Sequence, residues 1–212
     1  MRAEQGTAQW LSDRLGHLTA SRMYDAKAGK ETASRKNYIA QLVAERLTGV
    51  VAESFTNTAM EWGTSNEPLA RAEYEILTDQ FVDQDGFIKH PTIEWCGASC
   101  DGFVGKDGLI EIKAPNTATH IDYLLNQKPP SKYIPQMLLQ LACTERAWCD
   151  FVSYDPRMPE EHRLFVVRFE PKREEILAVE HAAIEFLAEV QATIDRLKNI
   201  RAELSQPMEA AA

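Results

Sequence analysis

Asp101, Glu111 and Lys113 are the residues of this 212-residue chain whose types and spacing point most directly to chemistry. They lie in Cys96-Gly97-Ala98-Ser99-Cys100-Asp101-Gly102-Phe103-Val104, a Gly105-Lys106-Asp107-Gly108 turn, and Leu109-Ile110-Glu111-Ile112-Lys113. Two apolar runs around a glycine-rich turn predict a β-hairpin. Side chains alternate along a strand, so Glu111 and Lys113 share one face while Ile110 and Ile112 point to a core on the other. With an even register across the turn, Asp101 lies opposite Glu111, with Cβ atoms about 4.5–5.5 Å apart. Like charges that close destabilise a sheet unless something offsets them. A divalent cation would do so, and carboxylate oxygens suit Mg²⁺ or Mn²⁺. A cation held there lowers the pKa of bound water, and Lys113 could orient that water and stabilise charge on a phosphate. This is the logic of metal-assisted phosphodiester hydrolysis. The competing reading is a solvated hairpin face with a Glu/Lys pair.

Other residues could join this site. Glu67 precedes Pro68 inside a helical pattern, and a proline there kinks or restarts a helix. The expectation is that this break aims Glu67 at the metal; a plain surface charge is the alternative. Gln136 and Gln140 are four apart, hence on one helix face, and could reach a phosphate or a water. Arg14 and Ser21, with Lys27 or Lys30 nearby, could hold a phosphate, although the residues alone favour a cap plus surface charges. Cys96/Cys100 and Cys143/Cys149 lack the usual spacing of zinc or iron–sulfur sites. Cys96 and Cys100 would share a strand face, and buried thiols are expected. His17, His90, His120, His162 and His181 form no zinc motif.

The elements that must position these residues follow from periodicity and punctuation. A short helix over 7–14 ends at Gly16, and Thr19 or Ser21 caps a second. Ser34 caps a helix over 35–47 that Gly49 closes. Residues 58–77 form the helix interrupted at Pro68. Short strands at 81–82 and 87–88 precede the hairpin. A short helix over 119–125, a basic loop over 128–132 and a crossover helix over 133–143 follow. Strands at 147–154 and 163–169 lead to a helix from Pro171 to about residue 204, whose seam of threes and fours reads as intramolecular core. The order predicts an α/β fold with one central mixed sheet flanked by helices. No Pro/Gly/Ser-rich linker divides the chain, so one domain is expected over 1–204, with a disordered tail over 205–212.

Net charge is −9, which argues mildly against a uniformly basic nucleic-acid surface. Arg14, Arg22, Lys27, Lys30, Arg35 and Lys36 nevertheless crowd the first forty residues, so a local basic patch is compatible with an acidic total. No apolar run approaches the roughly 18 residues of a membrane span, and the polar start lacks a signal-peptide core. A cytoplasmic protein with reduced cysteines and no membrane association is expected.

The hairpin residues resemble the D…(D/E)xK core of the PD-(D/E)XK nuclease superfamily. The surrounding blocks narrow the resemblance: Trp10…Arg14-Leu15-Gly16…Thr19-Ala20-Ser21, Trp62-Gly63…Glu67, Ser99…Asp101-Gly102, Glu111-Ile112-Lys113, Tyr133…Gln136 and Tyr154-Asp155-Pro156-Arg157-Met158. In that order, across about residues 8–200, they are similar to the lambda exonuclease (YqaJ-type viral recombinase) family. The resemblance implies a restriction-endonuclease-like core. Asp101, Glu111, the Ile112 carbonyl and Glu67 would hold Mg²⁺ (or Mn²⁺). Lys113 would activate water, and Gln136 would match the glutamine of the crossover helix, with Gln140 the weaker candidate. Arg14, Ser21 and a basic loop residue, Lys27 or Lys30, would grip a 5′-phosphate. The glutamine block, Gln136-Met137-Leu138-Leu139-Gln140, departs from the family's closely spaced glutamines. The implied activity is 5′-to-3′ degradation of one strand of linear double-stranded DNA to mononucleotides. It leaves a 3′ overhang for recombination by single-strand annealing. A homotrimer ring around DNA, an annealing-protein partner and a bacterial or phage-infected cytoplasm are implied with it. Alternatives are a Cas4-like iron–sulfur nuclease, which needs all four cysteines, and a non-catalytic DNA-end-binding scaffold.

Overall fold

A computed structural model describes residues 2–52 and 58–205, with side chains described as far as residue 200. Helix α1 (Ala8–Arg14) begins where the Thr7 hydroxyl accepts the Trp10 N–H at 3.2 Å. It stops before Gly16, whose φ of +70° suits a residue without Cβ. Strand β1 (Leu18–Thr19) follows, then a short 3-10 turn (Ala20–Arg22) and α2 (Met23–Ala26). Thr19 holds the expected position before the turn but makes no side-chain cap. Helix α3 (Ala33–Thr48) takes the expected Ser34 cap inside as its second residue, with Thr32 at the N-cap position, and closes on left-handed Gly49.

Helix α4 (Thr58–Thr78) corrects one expectation. It runs through Pro68 as a single helix, so Glu67 is aimed by its position on a helix face, not by a break. Buried residues on α4 are Asn66, Ala70 and Tyr74. That stripe at four-residue spacing packs on the sheet, which holds the helix together despite the missing proline N–H.

The expected single sheet is two. Strands β2 (Val82–Asp83), β5 (Gly102–Val104), β6 (Gly108–Lys113), β7 (Trp148–Tyr154) and β8 (Leu164–Phe169) form the larger, in the order β2-β5-β6-β7-β8. Within this sheet only β6 and β7 pair in parallel. Their crossover carries α5 (Thr117–Asn126), capped by Asn116 accepting the Thr119 N–H, and α6 (Ile134–Thr144). The smaller sheet is β1-β4-β3, with β3 (Ile88–Lys89) and β4 (Cys96–Ala98). Parallel pairing of Leu18 with Cys96 and of Thr19 with Gly97 draws the N-terminal arm beside the chain that leads into Asp101. Cys100 lies beyond β4, so it does not share a strand face with Cys96 as expected. All four cysteines are buried free thiols.

The larger sheet is covered on both faces. Leu109, Phe103, Cys149, Phe151 and Phe165 pack with α3, α6 and the long α7 (Arg173–Ser205). Val104, Ile110, Ile112, Val152 and Tyr154 pack with Ala70 and Tyr74 of α4. The α7 seam is core through Val179, Ala183, Phe186, Val190 and Ile194, whereas Leu197 is exposed. The tail expected at 205–212 lies outside the described residues from 206 onward, and Ser205 belongs to α7.

Candidate active site

The register of β5 on β6 pairs Gly102 with Ile110 and Phe103 with Leu109. One step further along the same ladder sets Asp101 opposite Glu111. Gly102 leaves room for β2 beside this strand: a Cβ there would meet the Val82 side chain at 2.1 Å. The Asp101 carboxylate also accepts the Ile112 N–H at 2.7 Å, which ties the strand end across the hairpin.

Glu111 is fully buried, so the solvated-face reading fails. It faces α6, and Gln136 and Gln140 each donate Nε2 to it at 2.6 Å, one to each carboxylate oxygen. Lys113 Nζ pairs with the same carboxylate and lies 5.2 Å from the centre of the Tyr133 ring. Burial alone would lower the Lys113 pKa, but Glu111 and Asp101 outweigh it and keep the ammonium charged. Asp101 is pushed well above the usual carboxylate range, first by burial and then by Glu111 beside it. Glu67 enters from the α4 layer. Burial raises its pKa, opposed by Arg71 and Lys113. Arg71 donates to Glu67 at 2.5 Å and to the Asp101 carbonyl at 3.2 Å. Glu67, Asp101, Ile112, Lys113 and Tyr133 line one cleft of about 340 Å³.

The donor set fits a hard divalent cation. Two carboxylates are held side by side where water is scarce, and burial first, then the neighbouring Glu111, raises the Asp101 pKa. A cation relieves that cost better than a proton does. Among the described residues no three His, Cys, Asp or Glu side chains already stand as a ligand cluster. The carboxylate oxygens are instead turned to Lys113, both glutamines, the Ile112 N–H and Arg71. The same finding leaves the four thiols without the grouping an iron–sulfur site needs.

The expected phosphate residues are spread along the N-terminal arm. Arg14 Nη1 donates to Ser99 Oγ at 3.0 Å, the Trp10 indole donates to the same oxygen at 2.9 Å, and the guanidinium stacks on Trp10. The turn behind Arg14 is gripped by α3: Gly16 N–H donates to Glu45 and Arg46 Nε donates to the Gly16 carbonyl. Arg14 therefore stands two residues from Asp101 through Ser99. Ser21 is exposed, 3.4 Å from the Thr19 hydroxyl. Lys30 pairs with Glu189 of α7, which also holds Arg35.

Comparison with known proteins places this geometry. Residues 9–147 match the model of the YqaJ-like viral recombinase domain. The chain belongs to the YqaJ-like viral recombinase family. An alkaline exonuclease (LHK-Exo) from Laribacter hongkongensis is 48% identical, with a TM-score of 0.88 over 94% of this chain and 100% of that one. A structure of LHK-Exo in complex with dAMP matches with the same figures. A phage related exonuclease from Haemophilus somnus 129PT shares the fold, with a TM-score of 0.69 at 14% identity over 85% of this chain and 96% of that one. No curated protein matches the chain. This YqaJ-like protein is thus a nuclease, a hydrolase acting on DNA, in a family of metal-dependent nucleases with the PD-(D/E)XK core.

Within the YqaJ-like frame, sequence reasoning placed Gln140 behind Gln136, yet both reach Glu111 and Gln140 is the more buried. Their four-residue spacing was the available signal. Arg71 was passed over, although it follows Glu67 at the helical spacing that makes a pair.

Proposed function

We propose that this protein is a Mg²⁺-dependent (Mn²⁺ substituting) 5′-to-3′ exonuclease. It degrades one strand of linear double-stranded DNA to mononucleotides and leaves a 3′ overhang for recombination by single-strand annealing. The observation that carries the reading is the Asp101–Glu111 pair, with Lys113 and Gln136 on the buried Glu111 carboxylate and with Asp101, Lys113 and Glu67 lining one cleft, in a chain 48% identical to an alkaline exonuclease. A dAMP complex of that relative agrees with release of mononucleotides.

Asp101, Glu111, Glu67 and the Ile112 carbonyl would hold the cation. When bound, it supplies Lewis acidity and acidifies water. Gln136 and Gln140 fix Glu111 in one rotamer, so the carboxylate need not reorganise as charge develops. Lys113 keeps its proton beside two carboxylates and offers positive charge to the scissile phosphate. It can take a proton from water only once that negative charge is neutralised. Arg14 and Ser21 would grip the 5′-phosphate, leaving the next phosphodiester for the hairpin. Lys30 would complete the grip only by leaving Glu189.

The whole chain through residue 204 would act as one nuclease domain. A homotrimer ring around DNA, working with a single-strand annealing protein in a bacterial or phage-infected cytoplasm, accommodates the acidic total, since only the channel lining need be basic.

The test compares linear duplexes carrying 5′-phosphate and 5′-hydroxyl ends. A strong preference for the phosphate, lost in Arg14→Ala, is expected. Equal rates would remove Arg14 and Ser21 from the end grip.

A further inference from the structure

Two sequence motifs have been given no role in cleavage: Trp62-Gly63 and Tyr154-Asp155-Pro156-Arg157-Met158. The fold brings them together. Asp155, at the end of β7, is fully buried. It accepts Arg157 Nε at 2.7 Å, Arg157 Nη2 at 3.0 Å, the Arg157 N–H at 3.0 Å and the Thr117 hydroxyl at 2.6 Å. Such a two-pronged pair holds the guanidinium plane in one orientation. From there Arg157 reaches two further elements. Nη2 donates to the Pro115 carbonyl at 3.2 Å, in the link between β6 and α5. Its guanidinium carbon lies 4.6 Å from the centre of the Trp62 ring on α4.

Trp62 sits in the less buried half of α4. No residue from Thr58 to Ser65 is buried, whereas Asn66, Ala70 and Tyr74 are. The C-terminal half of α4 is anchored by Tyr74 donating to Asp150 at 2.8 Å and by Glu73 pairing with Arg163. Between the halves stands Pro68, which has no N–H for the carbonyl one turn back. Glu67 occupies that junction and lines the cleft with Ala59, Gly63 and Pro115. Because α4 runs unbroken through Pro68, the seating of the Trp62 turn bears on where Glu67 points.

We infer that Arg157 is a positioning residue for Glu67: anchored by Asp155, it clamps the Trp62 turn of α4 to the end of the catalytic strand β6, and so sets Glu67 at the cation site. The inference rests on the cation site proposed above.

Mn²⁺ alone, titrated calorimetrically into the full chain without DNA, tests it. Arg157→Ala and Trp62→Ala should each weaken binding about 10-fold, the usual cost of losing the support of a metal ligand. Trp62→Ala leaves the Asp155 pair intact, so it answers the question if Arg157→Ala folds poorly. Trp62→Phe keeps a ring under the guanidinium and should bind as wild type. Arg157→Lys keeps the charge without the fork and should not restore binding. In a Glu67→Ala background, Arg157→Ala should cause no further loss. Unchanged affinity in Arg157→Ala and Trp62→Ala would overturn the inference. So would an equal loss with and without Glu67, which marks general loosening. Wild-type protein that binds no Mn²⁺ would bring down the cation site itself, a result distinct from either.

Discussion

Glu111 keeps a charge out of water because three donors surround it: Gln136, Gln140 and Lys113. Removing one donor from a fully buried carboxylate leaves an oxygen unsatisfied, at a cost of about 1–3 kcal/mol. Gln140→Leu should therefore lower stability by that amount in urea unfolding and reduce nuclease activity as well. Gln136→Leu should cost less stability, because Gln136 is only half-buried and solvent can replace it. Equal unfolding midpoints for Gln140→Leu and wild type would contradict this. The residues most legible in the sequence were these chemical ones. Asp101, Glu111 and Lys113 stand at strand spacing around a turn, and the observed ladder extends to the predicted pairing. Gln140 was underweighted because burial, not residue type, decides its importance, and burial depends on how α6 lies on β6.

The elements show where periodicity carries information. The long helices α3, α4 and α7 were readable because apolar residues recur over many turns. Pro68 misled, since packing of Asn66, Ala70 and Tyr74 on the sheet outweighs one lost backbone bond. The smaller sheet was not separable: β1, β3 and β4 span two or three residues each, too few for alternation, and the β1–β4 pairing joins distant segments. The turn after β7 makes its own prediction. Burial would raise the Asp155 pKa, but hydrogen bonds from Arg157 and Thr117 hold it at about 2. A carboxyl depressed below its unfolded value near 3.9 stabilises the fold above about pH 4 and loses that contribution as pH falls toward 2. Its size is at most about 2.6 kcal/mol. Asp155→Asn should flatten the acid limb of stability between pH 4 and 2, followed by thermal melting across that range. An unchanged limb would assign acid lability elsewhere.

At the scale of the molecule, a net charge of −9 and a DNA-directed site coexist only if charge is unevenly placed. Arg14, Arg71, Lys113 and Lys132 gather near the hairpin end and its cleft, whereas acidic residues such as Glu174, Glu175 and Glu185 lie along α7. The proposed ring makes this arrangement functional, and small-angle scattering should return about three times the chain mass of 23.9 kDa. A monomer mass at working concentration would remove the ring but not the cleavage site. Among the described residues no helix is long and apolar enough to cross a membrane. The central claim is that Asp101, Glu111 and Lys113 form a cation-dependent cleavage site. It is tested most directly by digestion of 5′-phosphorylated linear duplex with Mg²⁺ or with excess chelator, for wild type and Lys113→Ala. The account predicts digestion by wild type only with Mg²⁺, and a loss of about 100-fold or more in Lys113→Ala with binding to DNA ends retained. Digestion that survives chelation, or that Lys113→Ala carries out at the wild-type rate, would contradict it.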